Sequence, residues 1–255
     1  MNLVTLKSIS KVYKSNFSRI EKVALDEINL SIDTGEFTGI MGPSGAGKTT
    51  LLNLIATIDS PSSGSITIKG KSIDTLKGRQ LSEFRKHNLG FVFQDHNLLD
   101  TLTLRENILL PLALQRCGKQ TADQRVQYLA DLLGIEDILD KYPVENSGGQ
   151  RQRAALARAL AGSPELLLAD EPTGSLDSKN ARRLMETFSH LNKTGEANIL
   201  LVTHDPFVAS YCDRIIFIRD GNIFNEIRNP GNRKQFYKDI VNVLAILEGA
   251  DDERN

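Results

Sequence analysis

Residues 42–49 read GPSGAGKT and fit the phosphate-binding pattern G-x-x-x-x-G-K-[ST] at every fixed position. The mostly apolar residues 37–41 before them predict a strand, and leucines and isoleucines at helical spacing follow. A strand, a glycine loop and a helix in this order aim several backbone N–H groups at an anion. Within the loop, Lys48 would reach the β- and γ-phosphates, and Thr49 would ligate Mg²⁺. The alternative, a glycine-rich loop that binds nothing, is disfavoured because strand, lysine and helix occur together.

Polar side chains stand at the ends of three other predicted strands. Residues 166–171 form an apolar run that ends in Asp170 and Glu171. A fully apolar strand indicates burial on both faces, as in a parallel sheet. Gln94 and His204 also follow predicted strands, and open α/β sheets place their ligands at such carboxyl ends. We therefore expect these groups to serve Mg²⁺, water and phosphate.

Two further features could contact a nucleotide. Residues 146–150, NSGGQ, begin a predicted helix, whose serine and two glycines leave N–H groups at the N-terminus for a second anion. Arg151, Arg153 and Arg158 on that helix are interpreted as its solvated face. Tyr13 ends the first predicted strand. Taken alone, it indicates core packing, and the functional alternative is a stacking platform for adenine.

The rest of the chain alternates strand and helix patterns. Period-2 alternation predicts strands, and Thr-x-x-Glu or Thr-x-x-Gln capping boxes predict helix starts. The predicted strands are 3–13, 23–32, 65–70, 89–93, 199–203, 214–219 and 222–227, with a polar loop at 14–22. One predicted helix lies around residues 81–85, and two others begin with capping boxes at 103–106 and 121–124, the first of them with Pro111 as a kink or break. Ser178 is predicted to cap a further helix, and a C-terminal helix is predicted after residue 229.

Composition limits the possible functions. Of 255 residues, 40% are hydrophobic and 25% charged, and the net charge of −1 gives no electrostatic case for nucleic acid or anionic lipid. No apolar run approaches 18 residues, and the first ten residues lack a signal-peptide core, so we expect no membrane span. Cys117 and Cys212 are interpreted as reduced packing residues of a cytosolic protein. For a membrane process, another chain would have to supply the pore.

Taken together, these motifs resemble those of ABC-transporter ATP-binding subunits over nearly the whole chain. GPSGAGKT resembles the Walker A motif, LLLLADE the Walker B motif with its following glutamate, and NSGGQ the signature. Gln94 resembles the Q-loop glutamine, residues 175–177 the D-loop, His204 the switch histidine and Tyr13 the adenine-stacking aromatic. The signature departs from the family at Asn146, where leucine is usual, which leaves the packing of that helix entry open.

The resemblance implies an α/β fold with a P-loop NTPase core, an N-terminal antiparallel β subdomain and an inserted α-helical subdomain at about 95–160. Residues 1–228 would be the ABC ATP-binding domain, and 229–255 a C-terminal helical extension. The cofactors implied are ATP and Mg²⁺. The implied ATP-binding residues are Tyr13, Gly42, Pro43, Ser44, Gly45, Ala46, Gly47, Lys48, Thr49, Thr50, Ser147, Gly148, Gly149, Gln150 and Asp177. The implied catalytic residues are Glu171, His204, Lys48 and Gln94, and the implied metal ligands are Thr49, Gln94 and Asp170.

The resemblance also implies partners. ATP binding would form a head-to-tail homodimer, with each ATP between the phosphate loop of one copy and the SGGQ of the other. A membrane permease would hold the protein at the cytoplasmic face of the cell membrane. We expect the permease to dock on residues 95–103, where His96, Asn97, Leu98, Leu99 and Leu102 form a half-apolar patch.

Finer resemblance indicates a branch of the family. FRKH at 84–87 and the following LGFVFQDHNLLDTLTLRENILLPL are similar to subunits that serve lipoprotein-release, macrolide-export and bacitracin-type permeases. The segment LLDTLTLRENILLPL and the helical tail most resemble the bacitracin and nisin resistance branch. That branch implies an FtsX-like permease and, indirectly, a two-component sensor kinase. The alternatives are lipoprotein release, cell-wall remodelling, or a soluble non-transport ABC ATPase acting on DNA or ribosomes. We expect no nucleic-acid partner.

Overall fold

The structure, a computed structural model, describes residues 1–14 and 21–252. The strands are β1 (Asn2–Lys14), β2 (Glu21–Asp33), β3 (Phe37–Met41), β4 (Ser63–Ile68), β5 (Lys71–Ser72), β6 (Leu89–Val92), β7 (Leu166–Asp170), β8 (Asn198–Val202), β9 (Arg214–Arg219) and β10 (Asn222–Arg228). The helices are α1 (Lys48–Ile55), α2 (Arg79–Asn88), α3 (Leu104–Leu114), α4 (Lys119–Leu133), α5 (Gly148–Ala161), α6 (Ser178–Lys193), α7 (Pro206–Ala209) and α8 (Arg233–Asp252). None of the described helices is both long and apolar enough to cross a membrane.

The chain divides into two units, one made of residues 1–81 with those from 200 onward, the other of residues 82–199. The first unit contains an antiparallel sheet in the order β2-β1-β4-β5. Leu6 of β1 pairs with Leu30 of β2 on one side and with Ile66 of β4 on the other, and all three side chains are buried. This sheet confirms the predicted N-terminal antiparallel β subdomain. Residues 15–20 of the predicted loop lie outside the described residues.

A second group of strands in the first unit has the order β10-β9-β3-β8. Strand β3 runs parallel to β9, with Ile40 beside Ile216, and all five β3 residues are buried. Such double-sided burial explains the apolar run before the phosphate loop. The predicted strands β9 and β10 form a hairpin, and its turn residues Asp220 and Gly221 have φ angles of 48° and 77°.

Helix α8 belongs to the first unit and packs against α7 and β10. Its buried side chains include Phe236, Ile240 and Leu247. Near its start, the Arg233 guanidinium lies 4.3 Å from the ring centroid of Tyr211, a cation–π contact. The helix therefore covers apolar surface of the nucleotide-binding part of the chain. The domain boundary at residue 228 stays a prediction.

We expect Phe236→Ala to lower the free energy of unfolding by about 3–5 kcal/mol, because it leaves a cavity under a fully buried ring. The neighbouring Tyr237 is 40% exposed, so Tyr237→Ala should cost less than about 1 kcal/mol. Urea unfolding followed by circular dichroism measures both. Equal losses for the two variants would contradict the packing of α8 by its Phe236 face.

In the second unit, β6 and β7 pair in parallel, with Val92 beside Ala169, and α3, α4 and α5 pack together. The capping box at 103–106 is confirmed, and α3 continues through Pro111 without a break. The second predicted capping box is wrong. Helix α4 begins three residues earlier than that box implies, at Lys119, with Gly118 in place of Thr121 as its N-cap and no side-chain cap. Because Gly118 already provides the extended entry, Thr121 lies inside the helix. Gly134 ends the helix in the left-handed region.

Candidate nucleotide site

The phosphate loop leaves the buried strand β3 and enters α1 through glycines in conformations that other residues rarely adopt. Gly42, Gly45 and Gly47 have φ angles of 154°, 81° and 107°. A Cβ at Gly47 would lie 2.5 Å from the Ala24 carbonyl oxygen, and one at Gly42 would collide with the Ile218 carbonyl. Gly47 is the N-cap of α1 and provides no side-chain cap. The first N–H groups of α1 are therefore not capped by this residue and suit an anion.

Contacts from two sides hold this loop. Lys48 Nζ donates to the carbonyl oxygens of Gly42 and Pro43, each at 2.9 Å, so the ammonium lies over the loop. The Gly221 N–H of the β9–β10 turn donates to the Ala46 carbonyl at 3.0 Å. The sequence alone did not indicate this support from the hairpin.

A cavity of about 190 Å³ adjoins the phosphate loop within the first unit. The structure brings several predicted residues together on its walls. They are Tyr13, Gly45, Gly47, Lys48, Thr49 and Thr50, joined by Lys22 and Ala24. Because Tyr13 is 42% exposed and lines this cavity, it is not a core residue. Its aromatic ring and the phosphate loop can contact the same small molecule.

His204 follows the end of β8. The N–H of Thr203, its neighbour, donates to the Ile40 carbonyl at 3.1 Å, so this strand end lies beside the last residues of β3. His204 is exposed, and Asp205 caps α7 by accepting from the Phe207 N–H at 2.7 Å. The structure therefore places the predicted histidine at the same edge as the phosphate loop.

In the second unit, three predicted groups meet at the carboxyl ends of β6 and β7. Asp170 is the last residue of β7, and Glu171 follows it in the left-handed region, with φ 46°. Gln94 follows β6, and a Cβ on Gly174 would lie 3.0 Å from Gln94 Nε2. The Gly174 N–H donates to the Glu171 carbonyl at 3.0 Å and closes a tight turn. A non-glycine residue at positive φ is strained, and such strain is common where a side chain must point at a substrate.

The signature begins α5 with a complete capping box. Ser147 Oγ accepts from the Gln150 N–H at 3.3 Å, and Gln150 Oε1 accepts from the Ser147 N–H at 2.9 Å. The pattern Ser-x-x-Gln produces this reciprocal cap. The remaining first-turn N–H groups, from Gly148 and Gly149, are the donors that a second anion could use.

A chain of contacts joins the D-loop to the signature helix. Asp177 is the N-cap of α6, so the prediction that Ser178 caps it is wrong by one residue. Asp177 accepts from the Asn180 N–H at 2.8 Å and from Asn180 Nδ2 at 2.7 Å, and the backbone bond, the larger effect, lowers the pKa of its carboxyl. A Cβ on Gly149 would lie 2.8 Å from Asn180 Cγ, so a larger residue there would have to displace the Asn180 side chain.

The departure at Asn146 leaves the helix entry regular. Asn146 is extended, with φ −121° and ψ 151°, and its Nδ2 donates to the Tyr142 carbonyl at 2.7 Å. Its Oδ1 is buried and has no hydrogen-bond partner among the described residues. The side chain is thus accommodated by one local bond where leucine would need only apolar contact.

The structure also reveals a network that the sequence did not indicate. His96 is buried and hydrogen-bonds through Nδ1 to Gln152 Oε1, and burial lowers the pKa of this histidine. Gln152 Nε2 donates to the Phe93 carbonyl at 3.3 Å. Arg158 donates to the carbonyls of His96 and Asn97 at 3.0 and 2.6 Å, which corrects its interpretation as a solvated residue. Helix α5 therefore holds both sides of the Gln94 segment.

An apolar groove of about 600 Å³ opens on the second unit. The rings of Phe91 and Phe93 stack in it, with centroids 4.1 Å apart, and Leu114 on its wall is 66% exposed. Its other lining residues include the apolar Leu89, Leu110, Pro111, Ala159 and Pro164 and the charged Glu83, Arg85, Lys86 and Arg158. Phe93, which lines the groove, directly precedes Gln94 in the sequence. By contrast, His96 of the predicted docking patch is buried, whereas Asn97 and Leu99 are exposed.

These features define a P-loop nucleotide-binding protein of the α/β class. The family model for the ABC transporter matches residues 25–174. The ABC transporter ATP-binding protein YvcR of Bacillus subtilis is 55% identical over 249 residues, covering 98% of this chain and 96% of its own. The bacitracin export ATP-binding protein BceA of Halalkalibacterium halodurans is 46% identical over 254 residues, covering 99% and 100%.

A solved structure of an ATP-binding cassette also matches this chain. A dimeric ATP-binding cassette of Methanocaldococcus jannaschii, in a post-hydrolysis state with ADP and Pi, has a TM-score of 0.82 at 38% identity, over 88% of this chain and 98% of that one. The chain belongs to the ABC transporter family, as an ATP-hydrolysing, ATP-binding subunit. Subunits of this kind dimerise and act with a membrane permease. The predicted family and fold class are thereby confirmed.

Proposed function

We propose that the protein powers a permease that gives resistance to cell-wall-directed peptides of the bacitracin and nisin type. The observation that carries the proposal is the 46% identity to a bacitracin export ATP-binding protein over 99% of this chain. That span includes α8, which lies outside the family model's match at residues 25–174. The proposal places the protein at the cytoplasmic face of the membrane, with an FtsX-like permease and, through it, a sensor kinase.

We assign hydrolysis to Glu171, as the base that polarises the attacking water. The lysine of the phosphate loop neutralises phosphate charge, and His204 contacts the γ-phosphate. Because phosphoryl transfer depends mainly on positioning and electrostatics, these groups need to be rigidly held. The tight turn at Glu171 and the braced phosphate loop support the assignment.

The donor set suits Mg²⁺. Within residues 1–14 and 21–252, no group of three or more His, Cys, Asp or Glu side chains could hold a metal alone. Mg²⁺ binds oxygen ligands, usually one or two carboxylates together with substrate phosphates and water. Thr49, Gln94 and Asp170 offer a hydroxyl, an amide oxygen and a carboxylate. When bound, the ion would neutralise charge on the phosphate oxygens, and the family resemblance assigns these three side chains to hold it.

We infer a head-to-tail dimer as the working form. The chain has two candidate anion sites, the phosphate loop and the α5 N-terminus. Asp177, Asn180 and Gly149 form one contact chain at the second site. A second copy's nucleotide would bind to the Ser147–Gly149 donors and lie close to this chain. The solved dimeric relative supports the arrangement.

We propose the apolar groove of the second unit as the docking site for a short cytoplasmic helix of the permease. A transporter subunit must contact its permease, and the groove offers the exposed Leu114, the half-buried rings of Phe91 and Phe93, and charged lining residues. Its wall residue Phe93 adjoins Gln94 and is bonded to Gln152 of α5. Movement of a docked helix would therefore reach both the glutamine and the signature helix. Docking on residues 95–103 stays a prediction.

Leu114→Asp should abolish co-purification with the permease and its stimulation of ATP hydrolysis, because it places a charge in the apolar groove. Basal hydrolysis should remain, since Leu114 is 66% exposed and far in sequence from the nucleotide motifs. Leu99→Asp tests the 95–103 loop in the same assays, and Ile246→Asp on the exposed face of α8 is the control. Unchanged co-purification and stimulation with Leu114→Asp would exclude the groove.

Growth in the presence of peptides tests the proposed cargo. Deletion of the gene should increase sensitivity to bacitracin- or nisin-type peptides, and the wild-type gene should restore growth whereas Glu171→Gln should not. A non-peptide cell-wall inhibitor is the control. Unchanged sensitivity to every peptide, with the permease expressed, would contradict the peptide assignment and favour lipoprotein release or cell-wall remodelling.

A further inference from the structure

Two side chains outside the nucleotide motifs, Asp59 and Lys11, meet near the hydroxyl end of Tyr13. Tyr13 Oη donates to Asp59 Oδ2 at 2.9 Å, and Lys11 Nζ donates to Asp59 Oδ1 at 2.7 Å. Lys11 Nζ also donates to the Ser60 carbonyl at 2.8 Å. The Asp59 N–H in turn donates to the Asn53 carbonyl of α1 at 3.2 Å. Asp59 therefore ties the end of β1 to the helix that begins at the phosphate loop.

The same cluster fixes which part of the Tyr13 ring is available. Lys11 Nζ lies 4.9 Å from the ring centroid, within the range of a cation–π contact, and so covers one face. The ring also lines the cavity shared with Lys48 and Thr50. Burial and the hydrogen bond to Asp59 raise the pKa of Tyr13. One end of the ring is held, one face is covered, and the other face remains for a ligand.

We propose that Asp59 and Lys11 are positioning residues for the nucleotide base. They hold the Tyr13 ring in one orientation before ATP arrives, so that adenine stacks on its uncovered face while the triphosphate binds the loop. An exposed tyrosine without these contacts would lose side-chain freedom on binding, which weakens affinity. The inference rests on the proposed stacking of adenine on Tyr13, and it adds the two residues that hold the ring in the orientation for stacking.

The test distinguishes the contribution of the base to ATP binding from the contribution of the phosphates. Binding of ATP and of inorganic tripolyphosphate, both in EDTA, is measured by calorimetry for wild type, Tyr13→Phe, Asp59→Ala and the double variant. Tyr13→Phe keeps the stacking ring and removes the hydroxyl with its contacts to Asp59 and Thr50. Each single variant should weaken ATP binding about 3- to 10-fold. The double variant should be no weaker than the single ones, and tripolyphosphate binding should stay within about twofold of wild type. Asp123→Ala, an exposed acid on α4, is the control.

Three outcomes would overturn the proposal. Wild-type affinity of Tyr13→Phe for ATP would show that the hydroxyl bond does not prepare the ring. An equal loss of ATP and tripolyphosphate binding in Asp59→Ala would assign Asp59 to support of the phosphate loop. If the wild-type protein bound neither ligand, the nucleotide assignment itself would fail, and this result is distinct from the other two.

Discussion

Replacing Glu171 by glutamine should leave ATP binding intact and slow phosphate release by about 100-fold or more, the usual contribution of a general base. The amide keeps the size and the turn at this strand end but cannot polarise water. Without hydrolysis, the ATP-bound dimer should persist, so Glu171→Gln should elute as a dimer from a sizing column with ATP. Wild type should elute mainly as a monomer after turnover.

Glu186→Gln, on the exposed face of α6, is the matched control and should hydrolyse ATP like wild type. The strained backbone at Glu171, with φ 46°, means that the variant's fold should be checked by circular dichroism. Retention of most of the turnover by a folded Glu171→Gln protein would remove Glu171 from the role of base.

Replacing Lys48 by methionine should weaken ATP binding about 10- to 100-fold, because hydrogen bonds to charged groups contribute about 1.5–3 kcal/mol. Methionine preserves the aliphatic stem and removes the ammonium that now bonds to the Gly42 and Pro43 carbonyls. Calorimetric titration with ATP measures the change, and the exposed Lys77→Met is the control. ATP affinity equal to wild type in Lys48→Met would contradict phosphate binding by this lysine.

Local chemistry made much of the site predictable from sequence. The phosphate loop needs glycines at positive φ next to a buried strand, and both requirements are visible in residues 37–49. The Ser147 capping box can likewise be recognised from the four consecutive residues 147–150. The error at α4 has the same local origin, since Thr121 and Gln124 reproduce a capping pattern inside a helix that Gly118 had already begun.

Contacts between residues that are far apart in the sequence could not be predicted from it. His96 and Gln152 are separated by 56 positions, and Arg158 reaches His96 across 62. Tyr13 and Asp59 are 46 apart, so neither pattern nor propensity indicated that one holds the other. Such pairs depend on how strands and helices pack, whereas motifs report only which residue types are available.

Phosphate release by the purified protein, alone and with its permease in membrane vesicles, tests the central claim that this chain is the ATPase of a peptide-resistance transporter. The account predicts ATP-dependent release by wild type, faster release with the permease, a further increase when bacitracin or nisin is added, and release by Glu171→Gln at least about 100-fold slower throughout. Release no faster than that of Glu171→Gln under every condition, from a folded protein with its permease present, would contradict it.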